Sequence, residues 1–83
     1  MSWDVLWSDK SKKQLSKLDK KIARRIRDTV LDCVVDPFSA VTRLVNSRFY
    51  KLRVGEFRVI LDLQQSTLII FVVETDLRKR VYK

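Results

Sequence analysis

Two arginines and a lysine near the middle of the chain carry the first sign of chemistry. Val54-Gly55-Glu56-Phe57 reads as a two-residue hairpin loop, because the only glycine supplies the positive φ that a type II′ turn needs first. That loop opposes Val54 to Phe57, Arg53 to Arg58, Leu52 to Val59 and Lys51 to Ile60. Strand alternation then gathers Tyr50, Leu52, Val54, Phe57, Val59 and Leu61 on one face and Lys51, Arg53 and Arg58 on the other. Like charges placed directly opposite repel. The neighbouring apolar run 68–73 offers no carboxylate to offset them, so the constellation is expected to meet an external anion. Arginine at two of the three positions suits bidentate contacts to phosphate. Further on, Arg78, Arg80 and Tyr82 share a face if 77–83 is extended. A tyrosine among cations gives up its proton more readily and can stack on a base. The alternative for this segment is an exposed, frayed terminus.

Several elements must position these groups. Met1–Trp7 reads as a strand, with Trp3, Val5 and Trp7 on one face. Ser8 is placed to cap a short helix over Ser8–Leu18, and Asp19 to cap a second over Lys20–Val35. Leu15, Leu18, Ile22, Ile26, Val30, Cys33 and Val34 recur at spacings of three and four, which defines the buried stripe of this pair. Cys33 lies on the stripe and reads as a small core residue rather than a nucleophile. Asp36-Pro37 ends the second helix. Phe38–Ser47 is a connection anchored by Phe38, Val41 and Leu44. Arg48–Val54, Phe57–Leu63 and Thr67–Thr75 are rich in β-branched and aromatic residues and read as strands. Leu68–Val73, apolar on both faces, reads as a central strand, and Leu77–Lys83 as an edge strand or extended tail. The expected fold is α+β, in the order β-α-α-β-β-β, with a helical hairpin on one face of a mostly antiparallel sheet.

Composition narrows the chemistry. The 83 residues suit one domain spanning 1–83 and carry 18 Lys and Arg against 10 Asp and Glu, a formal charge of +8. With no histidine there is no imidazole base and no Ser–His or Cys–His couple, and with one cysteine no internal disulfide. A single glycine excludes a Gly-rich phosphate loop. The charge is blocky: 10–27 holds nine cations against Asp19, and further basic blocks fall at 48–58 and 78–83. On the helices Lys13, Lys17, Lys20, Lys21, Arg24, Arg25 and Arg27 lie off the apolar stripe, and Lys20 with Arg24 and Lys21 with Arg25 are like-charge i,i+4 pairs. That face serves either as a solvated surface or as a dock for nucleic acid or an acidic protein. The longest apolar run is six residues, and no signal peptide opens the chain, so a soluble cytoplasmic protein without membrane contact is expected.

The stretch Phe49-Tyr50-Lys51-Leu52-Arg53-Val54-Gly55-Glu56-Phe57-Arg58-Val59-Ile60 resembles the central hairpin of RelE-type toxins of prokaryotic toxin–antitoxin systems. Leu77-Arg78-Lys79-Arg80-Val81-Tyr82 resembles the closing segment of the same RelE/ParE superfamily. The resemblance covers the whole chain and implies a small endoribonuclease that enters the ribosomal A site, cuts messenger RNA, and is restrained by a RelB-like antitoxin. It implies catalytic roles for Lys51, Arg53, Arg58, Arg78 and Tyr82; the charge pattern makes Lys13, Lys17, Lys20, Lys21, Arg24, Arg25, Arg27 and Arg80 the expected dock on RNA or ribosome. Such cleavage uses the adjacent 2′-hydroxyl as nucleophile and needs no cofactor and no metal. Lys51 or Tyr82 is the expected base, Arg58 and Arg78 stabilise the phosphorane, and Arg53 orients phosphate or donates a proton. Leu77 stands where many members have histidine, so weak cleavage is expected. The same fold also serves ParE-like inhibitors of DNA gyrase, and a non-catalytic RNA-binding role would equally use the charge.

Overall fold

In the computed structural model, which describes residues 2–77, five strands form one mixed sheet in the order β1-β5-β4-β3-β2. The elements are β1 (Asp4–Trp7), α1 (Asp9–Ser16), α2 (Lys20–Asp32), α3 (Pro37–Ala40), β2 (Thr42–Arg43), β3 (Tyr50–Val54), β4 (Phe57–Gln64) and β5 (Ile69–Leu77). Only β1 and β5 run parallel; the other neighbours are antiparallel. The expected α+β order therefore stands, with α3 and β2 added inside the segment read as a connection. Pro37 does not end α2, which stops at Asp32; it opens α3, where a missing amide proton costs nothing and its fixed φ suits the first turn.

Each helix begins where a side chain can satisfy free amides. Asp19 accepts from the Lys21 amide at 2.9 Å. Ser8 does more than cap α1. Its Oγ accepts from the Ser11 amide at 3.0 Å and donates to the Val73 carbonyl at 2.7 Å. Val73 sits at a bulge: β4 pairs Ile60 with Glu74 but Leu61 with Val72, so Val73 drops out of the ladder. One hydroxyl thus ties a helix start to the irregular point of a strand. Ser8→Ala should lower stability by about 1–2 kcal/mol, a fall of about 5–15 °C in melting temperature measured by circular dichroism. A change within 2 °C would show that water replaces both bonds.

The helices cover one face of the sheet. Ile26 and Val30 of α2 and Leu15 of α1 pack into a cluster with Leu52, Val54, Val59, Leu61, Ile70 and Val72, the last four fully buried. Trp3, Val5 and Trp7 pack at its edge, as the period of two predicts. Cys33 joins this cluster, and its thiol donates to the Thr29 carbonyl at 3.2 Å. Burial first, and the nearby Asp32 charge second, push that thiol above its ordinary range, so it rests protonated. Phe38 anchors the connection by edge-on contacts to Trp3 and Tyr50, with ring centres at 5.7 and 5.6 Å.

The β3–β4 hairpin has the expected register at every position, from Val54 with Phe57 to Lys51 with Ile60. Gly55 has φ +61° and is followed by an ordinary Glu56, as a II′ turn requires. A Cβ at Gly55 would lie 3.1 Å from Arg25 Nη1, the movable end of a side chain. Gly55→Ala is therefore expected to cost about 1–2 kcal/mol, from the left-handed backbone rather than the contact. Urea unfolding should show this, and adding Arg25→Ala should not restore the loss.

Candidate nucleic-acid interface

The sheet face away from the helices carries the predicted cations. Across it run successive rows set by the ladders: Arg53–Arg58–Asp76, then Lys51–Ile60–Glu74. Arg53 is exposed, whereas Arg58 and Lys51 are half-buried. The hairpin turn sets the first pair and β4, an interior strand, holds Arg58 between its neighbours. Arg78, Arg80 and Tyr82 lie outside the described residues.

One expectation needs correction. β5 continues through Leu77 instead of stopping at Thr75, and the strand after the hairpin does supply an acid, Glu74, to this face. Asp76 comes into register with Arg58, and Glu74 with Ile60, one strand from Lys51. The alternation Val73-Glu74-Thr75-Asp76-Leu77 is the signal that would have revealed this. Glu74 also meets Lys10 of α1 at 2.7 Å. Past Trp7 the β1 ladder ends, and α1 takes over that flank of β5: Gln14 Oε1 accepts from the Thr75 amide at 2.6 Å. The start of β5 also moves, to Ile69, because Leu68 turns the chain with φ +56°.

A second set of polar contacts lies further along the same face. Asp62 of β4 is buried to 9% exposure, and its Oδ2 accepts from Arg48 Nη2 and Gln64 Nε2, each at 3.2 Å. Arg48 also lies over the Phe49 ring at 5.6 Å. Sequence reading did not place Asp62 in any site.

The helical cations form a different surface. Lys13, Lys17, Lys20, Lys21, Arg24, Arg25 and Arg27 are all exposed on α1 and its neighbour α2, on the layer opposite the Lys51–Arg53–Arg58 face. None of them takes part in the Lys10–Glu74 or Arg48–Asp62 ion pairs. Arg25 reaches toward the hairpin turn, and Arg27 joins Trp7, Lys12, Leu15 and Ser16 around an open apolar groove of about 310 Å³. Among the described residues no group of three or more acids or cysteines could hold a metal ion, and no helix is long and apolar enough to cross a membrane.

A helical hairpin on a mixed five-stranded sheet whose other face is basic is the fold of RelE/ParE toxins. Residues 5–82 match the family model described as the ParE toxin of the type II toxin–antitoxin system parDE, and the chain belongs to that family. Among solved structures, a RelBE2 toxin–antitoxin complex from Mycobacterium tuberculosis aligns with TM-score 0.85 at 16% identity, over 94% of this chain and 100% of that one. An archaeal RelE–RelB complex from Pyrococcus horikoshii gives 0.82 at 23% identity, over 96% and 99% of the two chains. The isolated RelE toxin of E. coli gives 0.78 at 15% identity, over 96% and 90%. At these identities the likeness is one of fold. No curated protein sequence matches the chain.

Proposed function

We propose that this chain is the toxin of a type II toxin–antitoxin pair and that it cuts ribosome-bound messenger RNA. The observation that carries the reading is the directly opposed Arg53–Arg58 pair, with Lys51 beside it, on the sheet face that the helices leave open. A scissile phosphate seated there is held by two guanidinium groups, whose planar donors suit its oxygens. The neighbouring 2′-hydroxyl loses its proton to a base, its oxygen bonds to phosphorus, and the phosphorus–O5′ bond breaks. The departing oxygen takes a proton, which leaves a 2′,3′-cyclic phosphate and a 5′-hydroxyl. Lys51 or Tyr82 is the proposed base; Arg58 and Arg78 stabilise the extra negative charge, and Arg53 orients the phosphate or donates the proton. The exposed cations of α1 and α2 are the proposed dock on ribosomal RNA, and a RelB-like antitoxin is the proposed partner. The RelB–RelE complexes above support that partner.

The test is primer extension on programmed ribosomes, read for message ends that wild type creates. Intact message together with blocked supercoiling would replace this reading with inhibition of DNA gyrase, which the ParE description of the matched family favours. Intact message, normal supercoiling and salt-sensitive RNA binding would leave a binding module.

A further inference from the structure

Two rows of the open sheet face are charged, and the next is of another kind. In β4, Asp62 follows Arg58 and Ile60 at the period of two that keeps residues on one face. The ladders pair Asp62 with Phe71 of β5 and Phe71 with Leu6 of β1. On the other side Phe49 leads into β3, and Arg48 bridges its ring and the Asp62 carboxylate. Leu6 is 50% exposed and Phe71 is half-buried, although the solvent face of a sheet ordinarily carries polar residues. Aromatic rings beside an oriented carboxylate, about 7 Å from the Lys51 row and about 13 Å from the Arg53–Arg58 row by strand rise, are the elements that single-stranded RNA requires: a surface to stack on, a base-edge partner and phosphate neutralisation.

We propose that the Phe49–Asp62–Phe71 row is a base-recognition platform, on which a nucleotide adjacent to the scissile phosphate stacks on Phe71 and is read by Asp62. This rests on the RNA-cleaving reading above and adds its sequence preference. Oδ2 of Asp62 already accepts two hydrogen bonds, from Arg48 and Gln64, which hold the carboxylate in place. An ionised carboxylate accepts and cannot donate. The base it reads must therefore present an N–H at that edge, as the amino groups of cytosine and adenine do, whereas the carbonyl of uracil at the same place is repelled. The occupant is RNA rather than an apolar protein segment because the row is continuous with Lys51, Arg53 and Arg58.

The probe is a set of single-stranded RNA hexamers carrying 2-aminopurine at each position in turn, titrated with the protein at low salt. Wild type should quench fluorescence strongly at one position. Phe71→Leu, which keeps the apolar bulk, should abolish that quench and weaken binding about 10-fold; Phe71→Tyr should keep both. Asp62→Asn, able to donate as well as accept, should admit uridine at that same position. Equal quenching at every position, no effect of Phe71→Leu, or no RNA bound by wild type would each overturn the platform. The primer-extension assay separates the two readings. Cleavage by wild type with cut sites unchanged in Phe71→Leu removes the platform alone. Position-specific quenching without cleavage removes the nuclease alone.

Discussion

Arg58→Ala is expected to reduce cleavage of ribosome-bound message by about 100- to 1000-fold, the usual loss when one preorganised donor to a developing oxyanion is removed. Arg58 is the strongest choice because it lies on the interior strand β4, half-buried, directly opposite Arg53. Its backbone is paired on both sides, whereas that of the exposed Arg53 is paired on one. Arg58→Lys keeps the charge but loses the planar two-donor fork, so it should recover only a small part of the rate. A purely structural role for Arg58 has a clear signature. In that case Arg58→Ala would lower the melting temperature and leave the cleavage rate per folded molecule unchanged. Primer extension and thermal unfolding on one preparation distinguish these outcomes.

Ile26→Ala is expected to have the largest effect on stability. The side chain is fully buried where α2 meets the sheet, within the cluster that includes Val59, Leu61 and Val72. Removing its branched end forfeits the transfer of three carbons and leaves a cavity that the close-packed layer cannot collapse around, at about 3–4 kcal/mol. For a chain of 83 residues that is a fall of about 12–30 °C in melting temperature. Leu31→Ala on the same helix is the internal control. Leu31 is 51% exposed and should change stability by about 0.5 kcal/mol or less. Equal effects from the two variants in urea unfolding would mean that α2 packs through a different face.

The hairpin was legible because its information is local. One glycine sets the turn, the turn sets the register, and alternation assigns each side chain to a face, which is enough to gather Lys51, Arg53 and Arg58. The helix starts were legible for the same reason: Ser8 and Asp19 cap amides within three residues of themselves. The features that sequence patterns did not reveal depend on partners far away in the chain. The run 68–73, apolar on both faces, does mark β5 as interior, but no local pattern names β1 as its parallel neighbour. The bulge at Val73 shifts the face of every later residue in β5, which hid the registers of Glu74 and Asp76. Asp62 gave no signal in the sequence because its ion-pair partner Arg48 comes from before β3, 14 residues away. Thr42 and Arg43 were too short a run to read as a strand, and only their pairing with Lys51 and Tyr50 makes them one.

The parallel pairing of β1 with β5 also bears on how the protein is made. Among the described residues, β1 is an edge strand whose single neighbour is β5, the last of the five strands in sequence. While the chain is still being synthesised, β1 has no strand to join until 69–72 have cleared the exit tunnel. The same delay applies to Ser8, whose carbonyl partner Val73 emerges later still. The hairpin that carries Lys51, Arg53 and Arg58 closes earlier, from contacts local in sequence. Completion of the sheet therefore waits on the last-made of its five strands, and the hairpin that carries the cations can close before β1 finds its neighbour.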